Sequence, residues 1–165
     1  MKKQGFTLIE LMVVIVIMGI LAAVAVPKLF GMIAKSKASE IPTAAGAYVN
    51  MQDAFALERM EVGNWIQIGY SAPGKKDASD ASKYTTDNFT YTGAEPNRST
   101  SKVADAWKVV NTFAKLDNCG KGDGSWILDI TIQTTDGNGS VKYEIGDNDD
   151  NCAGLTPSFE GFKTK

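Results

Sequence analysis

A chain of 165 residues with 44% apolar residues and a net charge of −2 is long enough for one globular domain plus one hydrophobic segment. It contains no histidine, which lowers the expectation of hydrolytic or zinc chemistry, because histidine is the commonest general base and metal ligand. Acidic and basic residues are interspersed along the chain, so neither a nucleic-acid surface nor a cofactor is predicted.

The first predicted element is a hydrophobic helix. No charged side chain lies between Leu11 and Val26, and the near-apolar run counted from Phe6 has 21 residues. As a helix this run spans roughly 31 Å, about the thickness of a membrane's hydrocarbon layer. Glu10 interrupts the run near its start, where a carboxylate costs about 2.5–3.5 kcal/mol if it lies at the centre of a membrane. Glu10 is therefore a candidate functional residue that needs a partner.

Lys2 and Lys3 precede the run, so the N-terminus is expected to stay in the cytoplasm and the rest of the chain to lie outside. An ordinary signal peptide would be cut after Ala25, but it would not carry Glu10 in its apolar part or Pro27 just beyond the cut. A plain signal anchor explains the length of the run and leaves Glu10 without a function.

The segment KKQGFTLIELMVVIVIMGILAAVAVP resembles the class III signal of type IV pilins and pseudopilins. In that family a prepilin peptidase cuts after the glycine, here Gly5, and methylates the new terminal residue, here Phe6. Glu10 is then the fifth residue of the mature chain. We expect its carboxylate to pair with the Phe6 amine of a neighbouring subunit, because water would screen such a pair poorly inside a core of apolar helices.

The helix is expected to continue from Phe6 to about Glu61. Gly19 and Pro27 fall where the family usually carries helix-loosening residues, and they mark a stretch that is able to bend. Pro42 should kink the helix, and Gly63 is available as its C-cap. Beyond Pro27 the apolar residues recur at three- and four-residue steps, a pattern typical of a face that packs on a sheet: Ile41, Ala45, Tyr48, Met51 or Gln52, and Phe55.

The remaining chain predicts a sheet. Strands are expected at 65–70, 89–93 and 107–116, with exposed loops at 75–88 and 95–102. The clearest hairpin joins strands at 126–134 and 140–145 through a turn at 136–139. The predicted fold class is α+β, with a long N-terminal helix packed against an antiparallel sheet of about four strands, and the resemblance to pilins implies the same layout. The predicted divisions are a leader (1–5), a transmembrane or filament-core helix (6–27), its amphipathic continuation (28–62) and a β-sheet globular region (63–165).

The sequence offers few other candidate sites. Cys119 and Cys152 are expected to form one disulfide, because an exported region lies in an oxidising compartment. Asp147, Asp149 and Asn151 are weak calcium candidates; the segment is not an EF-hand, since Cys152 stands where glycine is needed. The three tryptophans are expected in the core and not on a carbohydrate-binding surface. No catalytic arrangement is found, so the chain is predicted not to be an enzyme.

The sequence therefore predicts a structural subunit of a type IV pilus, with a role such as adhesion or motility. Its expected partners are further copies of itself, the prepilin peptidase, the pilus assembly machinery with its minor pilins, and the inner membrane before assembly. The expected locations are the inner membrane for the precursor and the extracellular pilus for the product. Two alternatives stay open: the major pseudopilin of a type II secretion system, and an exported soluble carbohydrate-binding domain released after Ala25.

Overall fold

The computed structural model describes residues 5–94, 102–112, 115–120, 122, 125–133, 139–146 and 150–162. Two helices, α1 (Leu8–Ala38) and α2 (Glu40–Arg59), come first. Eight strands follow, and the described chain closes with a short helix, α3 (Asp150–Ala153), and a 3-10 turn at Pro157–Phe162. The strands are β1 (Lys75–Lys76), β2 (Lys83–Thr85), β3 (Phe89–Thr92), β4 (Val103–Asn111), β5 (Lys115–Leu116), β6 (Cys119–Gly120), β7 (Ser125–Gln133) and β8 (Ser140–Ile145).

The predicted long helix is present, with an interruption at Ser39 between α1 and α2. Pro42 accounts for its position: proline cannot donate a backbone hydrogen bond, and its ring clashes with the carbonyl four residues earlier, that of Ala38. The predicted C-cap at Gly63 is wrong. Helix α2 ends at Met60, whose φ of 57° is left-handed and whose N–H donates to the Ala56 carbonyl at 2.8 Å.

Gly63 has a different role, as a partner of the buried side chain of Gln52. With its amide oriented so that both polar atoms find partners, Gln52 donates to the Gly63 carbonyl at 3.1 Å and accepts from the Gly63 N–H at 2.9 Å. The apolar face of α2 therefore includes Gln52, while Met51 is exposed. A Cβ at Gly63 would lie 2.9 Å from the ring of Phe55, so this close approach requires glycine.

The main sheet is antiparallel, with six strands in the order β1-β2-β3-β4-β7-β8. The predicted pairing of β7 with β8 is confirmed, as is the strand at β3, while residues 136–138 of the predicted turn lie outside the described residues. Strand β4 carries a bulge between Val103 and Trp107, where Asp105 has a φ of 51°. Strands β5 and β6 form a separate two-stranded unit.

Two predictions about this region are wrong. Residues 65–70 form consecutive turns and not a strand, because Asn64 and Gln67 exchange backbone-to-side-chain hydrogen bonds of 2.9 Å that close a turn. Residues 75–88 are not all loop: they contain β1 and β2, which raise the sheet from about four strands to six. The loop predicted at 95–102 lies almost wholly outside the described residues.

The core lies between α2 and the sheet, and buried aromatic residues with polar tips join the two layers. The Tyr70 hydroxyl donates to the Ala44 carbonyl at 3.1 Å and accepts from the Trp107 indole N–H at 3.0 Å. The Tyr143 hydroxyl contacts the Val49 carbonyl at 3.1 Å and the Asp53 carboxylate at 2.6 Å. These bonds satisfy the polar atoms that burial would otherwise leave unpaired, and they set the position of α2 over the sheet.

The buried tyrosines predict a loss of stability at high pH. Burial raises the pKa of Tyr70 to about 12, although its hydrogen bond from Trp107 lowers that pKa. Burial also raises the pKa values of Tyr91 and Tyr143. A tyrosine in the unfolded chain ionises near pH 10. Between pH 10 and about 12 only the unfolded state releases the Tyr70 proton, so the free energy of unfolding should fall by up to about 1.4 kcal/mol per pH unit for this residue.

Urea unfolding of the full chain in detergent between pH 8 and 12 measures this effect. Tyr70→Phe is the matched control, because it differs from the natural chain in one titratable group. It should be less stable at neutral pH by about 1–3 kcal/mol, because Ala44 and Trp107 lose a partner. Above pH 10, the free energy of unfolding of this variant should nevertheless fall less steeply with pH. Equal slopes for the two proteins would contradict the assignment to Tyr70.

Candidate functional site

The candidate site begins where α1 starts. Thr7 is the N-cap, with φ −83° and ψ 151°, and its hydroxyl accepts from the Glu10 N–H at 3.4 Å. The Glu10 carboxylate returns to Thr7, accepting from its backbone N–H at 2.8 Å and from its hydroxyl at 2.7 Å. This reciprocal arrangement is a capping box, which satisfies two backbone donors that a helix start leaves without partners.

Sequence reasoning missed the role of Thr7. The signal was present in Thr7-Leu8-Ile9-Glu10, a Thr-x-x-Glu spacing directly before an apolar run. Glu10 therefore has a local partner in the single chain. Among the described residues, no lysine or arginine pairs with the Glu10 carboxylate, and its side chain is exposed. Within the described part of the chain, Thr7 is thus the residue that holds the Glu10 carboxylate.

Nearly all the apolar surface of α1 is uncovered. Every residue from Phe6 to Phe30 is exposed, with Phe6 at 84%, and the first buried residue of the helix is Ala34. Within the described chain, the helical stretch Leu8–Arg59 is long and apolar enough to span a membrane, and none of its most apolar part is buried in the protein. A core helix of a soluble domain would be buried, so this surface needs a membrane or other apolar helices to cover it.

Gly19 and Pro27 both lie inside the continuous helix α1. A Cβ added at Gly19 would have nothing within 4 Å, so no part of the described chain packs against that position. The bend predicted for this stretch stays a prediction, as does the kink at Pro42, although the interruption at Ser39 lies where Pro42 weakens the hydrogen-bond ladder.

The tryptophans do not form a surface platform. Trp65, Trp107 and Trp126 are 1%, 0% and 2% exposed, and each indole N–H has a partner inside the protein. The prediction of core packing is confirmed, and the basis of the carbohydrate-binding alternative is absent from these three residues.

The disulfide between Cys119 and Cys152 is confirmed. It joins β6 to α3, and both cysteines are buried. Of the weak calcium candidates, Asp147 and Asp149 lie outside the described residues, and only the backbone of Asn151 is described, in α3. No group of three or more potential metal-binding side chains occurs among the residues that the structure describes.

Comparison with known proteins adds independent findings. Residues 1–26 match the family model of the prokaryotic N-terminal methylation motif. The type IV major pilin protein PilA of Myxococcus xanthus is 41% identical over 71 residues, which are 42% of this chain and 32% of PilA. A type IV major fimbrial protein FimA of Dichelobacter nodosus is 37% identical over 75 residues, 46% of this chain and 47% of FimA. The fimbrial protein EcpC of Eikenella corrodens is 54% identical over 44 residues, 27% of this chain and 29% of EcpC.

These matches cover about a third to a half of the length of the first two relatives. No solved structure matches the chain significantly. The relatives are named as pilins and fimbrial proteins, which are structural proteins, and this agrees with the prediction that the chain is not an enzyme.

Proposed function

We propose that this chain, whose methylation motif and similarity to type IV major pilins support membership of the type IV pilin family, is a structural subunit of a type IV pilus. A prepilin peptidase would cut between Gly5 and Phe6 and methylate the Phe6 amine. The product would leave the inner membrane and join a helical fibre outside the cell, with further copies of itself, minor pilins and the assembly machinery as partners.

The observation that carries this proposal is the exposed apolar surface of α1. From Phe6 to Phe30 no part of the described chain covers the helix, whereas the sheet domain packs against α2. A helix of this kind is stable in a bilayer, and packing among many copies can also cover its apolar surface. Cutting at Gly5 would keep the helix in the product, so the same surface would serve as membrane anchor and as fibre core.

Subunits would add in one direction through unlike faces, a heterologous contact that does not close on itself and therefore produces a fibre. The Phe6 amine of one subunit would lie against Glu10 of its neighbour. In the uncut chain Phe6 has no free amine, and the capping box with Thr7 holds the Glu10 carboxylate. Processing would therefore create the charge that completes the contact.

The mass of the subunit in purified fibres tests the proposal. We expect a chain that starts at Phe6 and carries one added methyl group at its terminal amine. A chain that keeps Met1, or one that starts at Val26 after cleavage at Ala25, would contradict it.

Gly5→Val is the matched variant for that measurement. A Cβ at Gly5 would meet nothing within 4 Å, so the substitution should leave the sheet domain folded while it obstructs the proposed cleavage site. We expect full-length precursor in the membrane and no fibres. Normal cleavage directly before Phe6 in this variant would show that Gly5 does not mark the processing site.

A further inference from the structure

Lysines gather where the apolar helix meets the globular region. Lys28, Lys35 and Lys37 follow the apolar run, and no acidic residue lies between that run and Glu40. In a helix they lie roughly 3, 14 and 17 Å beyond Val26 along the axis. The headgroup layer is about 5–8 Å thick on each side of a bilayer. Lys28 would thus lie within this layer, and the long side chain of Lys35 would reach its outer edge.

Lys75 and Lys76, in the edge strand β1, lie near the level of Glu40, which is roughly 21 Å beyond Val26 along a helix. Lys75 is paired opposite Thr85, and the hydroxyl of the next residue, Thr86, donates to the Glu40 carboxylate at 3.1 Å. The loop just before β1 and the first turn of α2 also line one groove. Both lysines are exposed. The β1 edge of the sheet is therefore adjacent to the junction of α1 and α2.

These five residues, Lys28, Lys35, Lys37, Lys75 and Lys76, we name the lysine collar. Within the described residues, none of Lys28, Lys35, Lys75 and Lys76 is paired with a carboxylate, whereas four other lysines are, one of them in β2 beside β1. The paired ones are Lys83 with Asp77 at 3.6 Å, Lys102 with Glu144 at 2.8 Å, Lys108 with Asp105 at 3.6 Å and Lys142 with Glu144 at 2.9 Å.

The balance of charge at the junction is positive. Four carboxylates lie in the same region, those of Glu40, of Asp77 and Asp80 in the β1–β2 hairpin, and of Asp87, which follows Thr86; Asp77 pairs with Lys83 at 3.6 Å. With Lys83 counted, six lysines less four carboxylates leave a net charge of +2. One Glu40 oxygen already accepts from the hydroxyls of Tyr91 and Thr86, at 2.8 and 3.1 Å. The collar is therefore a basic surface beside the junction of α1 and α2.

We propose that the lysine collar binds anionic phospholipid headgroups and holds the domain with its β1 edge toward the membrane before assembly. The inference rests on the proposed insertion of α1. Each lysine near an anionic surface contributes about fivefold in affinity, and the attraction falls off within a Debye length, about 8 Å in physiological salt. Lys75 and Lys76 come within that distance of the headgroups only when the β1 edge of the domain tilts toward the membrane. The collar therefore favours that one orientation.

Amine labelling of the full chain in lipid nanodiscs tests the inference. One set of discs contains neutral phosphatidylcholine alone, and the other contains about one third phosphatidylglycerol. An uncharged amine-reactive reagent is used, and mass spectrometry gives the labelling rate of each lysine. In the anionic discs we expect the rates at Lys75 and Lys76 to fall about fivefold, while the rate at Lys142 on the opposite edge strand stays unchanged. High salt should restore the rates at Lys75 and Lys76.

Two variants sharpen the test. Lys35→Gln with Lys37→Gln should remove much of the protection of Lys75 and Lys76, because the collar acts as one surface; Lys102→Gln should leave it intact. Equal rates in both kinds of disc, or an equal fall at every lysine, would overturn the inference. Protection of Lys75 and Lys76 only in assembled fibres would overturn it in favour of contacts between subunits. Failure of the chain to enter neutral discs would instead refute the proposed membrane insertion.

Discussion

The variant Glu10→Ala is expected to lose surface fibres while its precursor is still inserted in the membrane and cleaved. In the proposed fibre, the methylated Phe6 amine of one subunit would then face no carboxylate in its neighbour. Removing one partner of a buried ion pair costs about 3–5 kcal/mol. This corresponds to roughly two to four orders of magnitude in the affinity for adding a subunit. Electron microscopy of cells measures the loss of fibres. The mass of the membrane-bound subunit measures whether cleavage still occurs.

Glu10→Gln separates the two roles that the structure allows for this residue. Glutamine at the same position can still accept the Thr7 hydrogen bonds of the capping box, but it carries no charge. If the ion pair is what assembly requires, Glu10→Gln should fail as Glu10→Ala does. Normal fibres from Glu10→Gln would show that Glu10 acts by capping α1 and would remove the proposed pairing with Phe6.

Thr7→Ala is the complementary variant. It removes the hydroxyl from the capping box and leaves the Glu10 charge in place, with an expected cost of about 0.5–2 kcal/mol at the start of α1. This is smaller than the cost of the unpaired amine, so fibres should form in reduced amount. Fibre loss as complete as in Glu10→Ala would mean that the cap, and not the charge, controls assembly.

The double variant Cys119→Ser with Cys152→Ser is expected to destabilise the globular region by about 3.5–4 kcal/mol. The disulfide closes a loop with a sequence separation of 33 residues, and the chain-entropy model assigns a closed loop of that size a stabilisation of about 3.5–4 kcal/mol. For a chain of this length, the melting temperature should fall by roughly 8–16 °C. Thermal unfolding of the full chain in detergent, with and without a reductant, measures the change.

Core packing and hydrogen bonds surround the disulfide and also stabilise this part of the globular region. Both cysteines are buried, with Leu155 and Phe159 in the same core, and the Asn111 amide donates to the carbonyls of Cys119 and Gly120 at 3.3 and 3.1 Å. The double alanine variant controls for burying two serine hydroxyls, since it breaks the same link without adding polar atoms. A loss below about 1 kcal/mol in both variants would show that packing, and not the disulfide, holds β6 to α3.

The candidate site was largely predictable because its signals are local. An apolar run, one carboxylate and a glycine before a phenylalanine are read along the chain without reference to the fold. The same holds for the β7–β8 hairpin, whose alternating residues flank turn residues. The capping role of Thr7 was equally predictable, because its spacing to Glu10 is also a local signal.

The apolar helix, its carboxylate at Glu10 and the α+β class were predictable from local patterns, because each depends on residues a few positions apart. The fold of the segment around Trp65 depends on long-range contacts, because the Trp65 indole is buried against β4, where it donates to the Ala106 carbonyl at 3.1 Å. Tertiary pairing likewise makes strands of β1 and β2, and it selects Gln52 over Met51 for the interior. In each case the outcome depends on residues that are distant along the chain and adjacent in the fold. The spacing of residues in the sequence does not identify those neighbours.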